Sequence, residues 1–292
     1  MADTIKIQLD DIYQPIKSDD IKQGKNFVLR RERTANALSY LVDGLLEDAA
    51  EQIVRIAYKY GVEPERFQIS PNYNKDMFNE ISEVLDNLED EILDLTLTYS
   101  IKCTESKDKK ELLLLWLATL GRNNRDLRQT LEDRLWMFSR DLEAMIAAAK
   151  TATLSATDAI TVIKSHLHTA YQMPGMTAAF HNASLYKATY IRSRGVKPYN
   201  QGSSNSEANN IVRFAKMTVQ LGWSRYQLQE FINRGAVGYY QLRGSTFDCK
   251  ICDDEVGFHP NIEDMLSKPY PHYHCMCFRV PVYEKDINDL TV

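Results

Sequence analysis

Four of the five cysteines in this 292-residue chain lie in one stretch of its C-terminal part, at spacings that suit a metal ion. Cys249 and Cys252 form a Cys-x-x-Cys pair, and a second pair, Cys275 and Cys277, follows later in the chain. Two thiolates three positions apart on a tight turn can bind one metal ion, and a second cluster can complete its tetrahedron. We therefore predict a structural Zn²⁺ site.

Two histidines beside the second cysteine pair leave the ligand set open. The candidate ligands are Cys249, Cys252, His272, Cys275 and Cys277, with His274 as an alternative ligand. Because these candidates outnumber the four ligands of a tetrahedral site, we expect the site to close around the ion. A closed site offers no position for a reactive water, so the sequence predicts a structural metal and not an enzyme.

The Cys-x-x-Cys pair by itself also fits a redox-active dithiol or a set of packed thiols. Its neighbours are acidic: Asp248, Asp253, Asp254 and Glu255 flank the pair. Negative charge raises the pKa of a thiol, whereas a reactive cysteine needs a lowered pKa. The redox interpretation is therefore the least favoured of the three, and packed thiols come second to the metal.

Motifs of the common catalytic classes are absent from the sequence. A zinc deaminase needs a His-x-Glu upstream of its Cys-x-x-Cys, and nucleotide or acyl chemistry needs glycine-rich or Gly-x-Ser-x-Gly motifs. A zinc nuclease remains an alternative, with His166 and His168, or His259, as additional donors. Two histidines on one helical turn are more often surface or capping residues, so this alternative is the weakest.

Positive charge is concentrated in one part of an acidic chain. The formal net charge is -5, yet residues 187–243 hold nine Lys or Arg against two Asp or Glu, a local net of +7. Such a block can contact nucleic acid or an acidic partner, or it can form solvated helix faces. The candidate contacts are Arg192, Arg194, Lys197, Arg213 and Lys216. Tyr239, Tyr240 and Tyr273 would then be available to stack on bases.

Helical periodicity dominates the first half of the chain. Apolar residues recur at helical spacing over 27–60, 74–99 and 124–150, and a short, nearly all-apolar helix is expected over 112–120. An antiparallel bundle is the simplest packing for such helices. The heptad seam from Ile81 to Tyr99 predicts a partner helix within the chain or, as an alternative, a homo-oligomer that associates through this seam.

The second half of the chain changes from helix to strand. Ser155 and Asp158 resemble a capping box that opens a helix ending at Tyr171. Further helices are expected over 176–194, 207–221 and 224–233, the last with Ser224 as its N-cap. Beyond Gly235, β-rich segments over 236–244, 246–252 and 274–283 predict a small antiparallel sheet that carries the metal ligands.

These patterns predict a mainly α protein of two domains. An N-terminal helical bundle domain would span 1–150, and an α+β domain over 151–292 would end in a small zinc-stapled antiparallel sheet at about 244–283. The N-terminus lacks the apolar core of a secretory signal, and the apolar run at 112–120 is too short to cross a bilayer. We expect no membrane association.

The zinc motif has a recognisable order of residues. A Cys-x-x-Cys pair is followed by a glycine, a Pro-His step and a Cys-x-Cys pair, at Cys249, Cys252, Gly257, Pro271, His272, Cys275 and Cys277. This order resembles the C-terminal domain of bacteriophage minor head proteins of the Mu F (head morphogenesis) type. The resemblance covers roughly residues 150–285. Tyr273 and His274 depart from the family's Pro-Asn and Met276 from its arginine, and His274 thereby becomes an extra candidate ligand.

The resemblance implies a structural role in a virion. A protein of this type is present in few copies, assembles in the host cytoplasm and lies in the capsid near the portal. The implied partners are the phage portal, other head proteins and the genomic DNA with which such a protein could be packaged. Two other functions stay open: a nucleic-acid-binding zinc module and, less favoured, a zinc-dependent nuclease.

Overall fold

The computed structural model describes residues 18–104, 126–173, 206–244, 248–267 and 275–283. Of these residues 72% are helical, and a small three-stranded antiparallel sheet accompanies the helices. The prediction of a mainly α fold with a small antiparallel sheet is therefore confirmed. The helices expected over 112–120 and 176–194 lie outside the described residues.

Three long helices make up the first part of the described chain, and they agree with the predicted periodicity. They are α1, Ser18–Tyr60, α2, Lys75–Thr104, and α3, Leu127–Thr151. Gly44 does not interrupt α1. Asp126 begins α3 with a capping box, because its carboxylate accepts from Gln129 N and the Gln129 side chain accepts from Asp126 N.

The next helix, α4, is shorter than its sequence pattern suggests. It spans Ala156–His166, and Ser155 caps it by accepting from the Asp158 backbone N–H at 3.2 Å, as predicted. The expected extension to Tyr171 is wrong, because the chain leaves the helix after His166 and forms a 3-10 turn at Ala170–Gln172. The Leu167 carbonyl accepts instead from the Ser206 hydroxyl.

The two helices predicted over 207–221 and 224–233 are one continuous helix, α5, Glu207–Asn233. Ser224 was expected to cap the second of them, but it is buried and its Oγ accepts from Arg279 Nη1 at 2.8 Å. Gly222 lies between the two predicted segments and inside α5, and a glycine within a helix costs about 1 kcal/mol relative to alanine. The full burial of Trp223, whose ring packs edge-on against Phe27, outweighs that cost.

The sheet has the strand order β2-β1-β3, and all its pairs are antiparallel. Its strands are β1, Ala236–Leu242, β2, Gly257–His259, and β3, Phe278–Tyr283. The strand predicted over 246–252 is wrong at its described end, because Lys250–Glu255 is a short helix, α6. A further turn of helix, α7, spans Asp264–Ser267. The Asp253 N–H donates to the Cys249 carbonyl, which closes the first turn of α6.

Contacts within the chain define two compact units, each assembled from discontinuous segments. The described residues of the first unit are 18–37, 97–104, 217–244, 248–267 and 275–283. Those of the second are 38–96, 126–173 and 206–216. The predicted domain boundary at residue 150 divides the chain into two consecutive segments, unlike these units, and it stays a prediction.

The sheet of the first unit is covered on both faces. Val28 of α1 packs on one face, against a cluster formed by Tyr240, Leu242, Phe278, Val280 and Val282. Leu228 and Phe231 of α5 pack on the other face, with Ala236, Tyr239 and Met265. Neighbouring residues of a strand point to opposite faces, so Tyr239 and Tyr240 enter different cores.

The core of the second unit is helical. Ile81, Leu88 and Ile92 of the predicted seam on α2 are buried within the chain, which agrees with an intramolecular partner for that seam. Association of copies through Ile81–Tyr99 stays a prediction. In the part of the chain that the structure describes, no helix is long and apolar enough to span a bilayer.

Candidate metal centre

Three of the predicted cysteine ligands meet in the first unit. Cys252 lies in α6, while Cys275 and Cys277 lie immediately before β3. The Sγ atoms of these three residues all lie within 4.8 Å of one another, and those of Cys252 and Cys275 are 3.8 Å apart. We call these residues the thiol triad. Each is at most 4% exposed to solvent.

The spacing of the triad suits a tetrahedral metal ion. Zinc–sulfur bonds of about 2.3 Å place two sulfur ligands of a tetrahedron about 3.8 Å apart. The Sγ atoms of Cys252 and Cys275 have this separation. Sulfur ligands select zinc and other thiophilic metals over magnesium or calcium. The triad is therefore a buried group that could hold such an ion.

Cys249 lies next to the triad but outside its tightest grouping. It is half-buried, packs against the cluster that the triad forms, and its side chain is hydrogen-bonded with that of Cys252. As the residue that precedes α6, it is placed by the first turn of that helix. Four cysteines of the predicted set are thus neighbours, and His272 and His274 lie outside the described residues.

The three thiols of the triad differ in pKa. Burial, together with the charge of Cys277, raises the pKa of Cys252 to about 12, and hydrogen bonding to Cys277 and burial raise that of Cys275. Hydrogen bonds from Cys275 lower the pKa of Cys277 to about 6. Several buried thiolates without a cation would be costly, so the group resists full deprotonation when no metal ion is bound. A bound divalent cation removes that cost and deprotonates its thiol ligands.

Gly244 contacts the thiol triad, although it is not part of the cysteine motif. Its backbone N–H donates to the Cys277 thiol, which helps to lower the pKa of that group. A Cβ atom at Gly244 would lie 1.7 Å from the Met276 carbonyl oxygen. Only glycine therefore allows the chain that follows β1 to pass so close to the Cys275–Cys277 segment.

Two arginines contact the backbone of candidate ligands. Arg243 Nη1 donates to the Cys249 carbonyl at 3.1 Å and pairs with the Asp253 carboxylate at 2.6 Å. Arg31 Nη2 donates to the Cys275 carbonyl. Arg243 directly follows β1 and stands near the motif in sequence, whereas nothing in the spacing of residues points to Arg31.

The histidines considered as nuclease donors have other local partners. His166 Nδ1 lies 3.0 Å from the Val162 carbonyl oxygen, and His168 Nδ1 lies 2.9 Å from Asn209 Oδ1. His259 stacks on Tyr239 with ring centroids 4.6 Å apart. Among the described residues, the thiol triad is the one group of three or more His, Cys, Asp or Glu side chains close enough to hold a metal ion.

The structure narrows the candidate nucleic-acid contacts. Tyr239 is 1% exposed and Tyr240 is 4% exposed, so the expectation that these rings could stack on bases is wrong. Arg213 and Lys216 lie on α5 and are half-buried. Arg192, Arg194, Lys197 and Tyr273 lie outside the described residues.

Comparison with known proteins leaves the chain without an assigned family. No protein-family model, curated protein or solved structure matches it significantly. The resemblance to minor head proteins therefore stays a prediction from the sequence.

Proposed function

We propose that this protein is a structural minor head protein of a tailed phage, of the Mu F type, whose C-terminal module is held by a structural Zn²⁺. The observation that carries the proposal is the burial of Cys252, Cys275 and Cys277 within 4.8 Å of one another. These three residues occupy motif positions that the resemblance assigns to the family.

The small size of the module supports a structural metal. Its sheet has three strands, of which β2 has only three residues, and α6 has only six. The sheet is packed between α1 and α5, so the binding free energy of a metal ion would chiefly fix the short segments that carry the cysteines. Zinc suits this role because it binds thiolates without redox chemistry.

We assign the fourth ligand position to Cys249. Its side chain already packs against the triad, and a Cys-x-x-Cys pair at the start of a helix presents both sulfurs to one side. Four thiolates close the tetrahedron, so the ion has no open position for a substrate or a reactive water. His272 and His274 are the alternatives.

The nucleic-acid-binding alternative receives less support. Stacking on bases requires exposed rings, and Tyr239 and Tyr240 are buried in the two cores of the first unit. The remaining described candidates, Arg213 and Lys216, are half-buried. Binding to DNA columns at low salt, lost with rising salt, would favour this alternative.

Metal analysis of the purified full chain tests the zinc centre. We expect about one zinc per chain under reducing conditions, and loss of the ion in Cys252→Ser. Cys103→Ser, a change of the cysteine outside the motif, is the matched control and should keep the ion. Wild-type protein without metal would overturn the proposed centre.

A second experiment tests the head role. The chain is co-expressed with the portal protein encoded in the same genome, and sedimentation reports whether the two proteins migrate together. We also expect the chain in purified particles by mass spectrometry, at low copy relative to the major capsid protein. Particles that assemble without it, and a portal that does not bind it, would contradict the proposed role whatever the metal content.

A further inference from the structure

A fully buried arginine of α1 reaches the segment that carries two of the cysteines. Arg31 is 0% exposed, and its Nη2 donates to the carbonyl of Cys275, which lies 244 positions away in the chain. Both residues belong to the first unit. The contact therefore fixes the backbone of a triad residue from the other end of the sequence.

The guanidinium of Arg31 is itself held in place. Its Nε and Nη2 donate to Glu32 Oε1 at 3.2 and 2.9 Å. Glu32 Oε1 also accepts from Gln220 Nε2 of α5 at 3.1 Å. Because both α1 and α5 orient this ion pair, Arg31 has little freedom to leave the Cys275 carbonyl.

Close packing holds α1 against β3 at the same place. A Cβ at Gly24 would lie 2.6 Å from the Phe278 ring, so the helix approaches the strand where it has no side chain. Val28 packs against the same strand, in the cluster of Phe278 and Val280. Gly24, Val28 and Arg31 follow helical spacing and share one face of α1.

Burial of a charged pair is costly, which makes stability alone a weak reason for Arg31. Replacing such a pair with apolar residues is often neutral or stabilising. Arg243 makes the equivalent contact with the Cys249 carbonyl, so each ligand-bearing segment is held by an arginine.

We propose that Arg31 is a positioning residue of the metal centre, which orients Cys275 through its backbone carbonyl. The inference depends on the metal centre proposed above. It also implies that the zinc motif is incomplete without residues 18–37 of α1. Outer contacts of this kind typically change metal affinity about 10–100-fold when removed.

The test uses the full chain, loaded with Zn²⁺ or Co²⁺ under reducing conditions. Arg31→Met removes the donor and the charge, and Arg31→Lys keeps the charge with a different donor geometry. Arg33→Met, at an exposed position on the same helix, controls for the substitution. Val28→Ala controls for destabilisation, because Val28 is 3% exposed in the same core and does not donate to Cys275.

Chelator competition gives the metal affinity, and Co²⁺ absorption at saturation reports the geometry of the sulfur ligands. We expect Arg31→Met to weaken the affinity about 10–100-fold and to change the Co²⁺ spectrum. Arg31→Lys should lie between Arg31→Met and wild type. Arg33→Met and Val28→Ala should keep the wild-type spectrum.

Three results would overturn the inference. The first is wild-type affinity and spectrum in Arg31→Met, and the second is an equal change in Val28→Ala, which would reduce the effect to stability. The third applies if circular dichroism shows that Arg31→Met does not fold. In that case the test uses Arg31→Lys, and wild-type affinity and spectrum in Arg31→Lys would overturn the inference. Wild-type protein that binds no metal would overturn the metal centre as well, which separates the two proposals.

Discussion

The Sγ atoms of Cys252 and Cys275 lie 3.8 Å apart, although the two residues are 23 positions apart in the chain. The contact joins α6 to the segment that precedes β3, and Cys277 completes the group. Arg243 and Gly244, which directly follow β1, and Arg31 of α1 contact these segments from two other parts of the first unit. The centre is thus an assembly of the whole unit, and its parts can be tested separately.

The ligand set can be resolved with Co²⁺ and single substitutions. Because Cys249 packs against the triad, we expect Cys249→Ser to reduce the sulfur-to-metal charge-transfer absorption and weaken binding. His272→Ala and His274→Ala should leave the absorption unchanged. A loss of intensity in either histidine variant, with Cys249→Ser unchanged, would instead assign the fourth position to that histidine.

Two glycine-to-alanine substitutions should have opposite effects on stability. At Gly244 the new Cβ would lie 1.7 Å from the Met276 carbonyl oxygen, so the backbone must shift and the thiol triad must open. At Gly44, inside α1, the Cβ would meet nothing within 4 Å. We expect Gly44→Ala to raise the free energy of unfolding by about 0.5–1 kcal/mol. Gly244→Ala should lower it by at least about 1 kcal/mol and weaken metal binding. Urea unfolding measures both, and a stable, metal-replete Gly244→Ala protein would contradict the close approach.

A buried ion pair in the second unit should be costly to break from one side. Arg134 and Glu207 are 3% and 1% exposed, with Nη1 and Oε2 3.2 Å apart. Removal of one partner leaves the other charge buried, so Arg134→Met should lower the free energy of unfolding by about 3–5 kcal/mol. The double variant Arg134→Met, Glu207→Gln should recover part of this loss. With the single variant Glu207→Gln measured as well, a loss in the double variant equal to the sum of the two single losses would show that the two side chains are not coupled.

The carboxyl group of Glu143 should make stability depend on pH. Burial raises its pKa above 4.5, and the charge of Arg140 and the N–H of Ile69 offset only part of that effect. The folded state then holds the proton to a higher pH than the unfolded state. Stability is therefore greatest below the unfolded pKa and falls as pH rises through the folded pKa.

Denaturant unfolding over the range from about pH 4 to 7 tests this sign. In Glu143→Gln we expect the decline of stability with rising pH to become shallower, because the neutral amide does not titrate. Glu91→Gln, at an exposed position on α2, is the matched control and should keep the wild-type slope. A steeper decline in Glu143→Gln would contradict the raised pKa.

Local patterns predicted the helices well where one periodicity dominates. The apolar spacing over 27–60 lies inside α1, that over 74–99 matches α2 from Lys75 onward, and the capping residue Ser155 directly precedes α4. Prediction failed where a residue distant in the sequence determines the local structure. Ser224 looks like a helix cap in sequence, but it accepts from Arg279 and lies inside α5. The segment around Cys249 has strand-forming residues, yet it turns into α6, and Arg243 binds its carbonyl.

The cysteine spacing alone determined that a metal site was the favoured chemistry, because short spacings restrict where the sulfurs can lie. The tertiary structure decided which sulfurs meet, since Cys252 and the Cys275–Cys277 segment come from separate elements. It also decided that Tyr239 and Tyr240 are core residues, because α1 and α5 cover the two faces of the sheet. Arg31 entered the site only through folding, since a contact over 244 positions leaves no local pattern in the sequence.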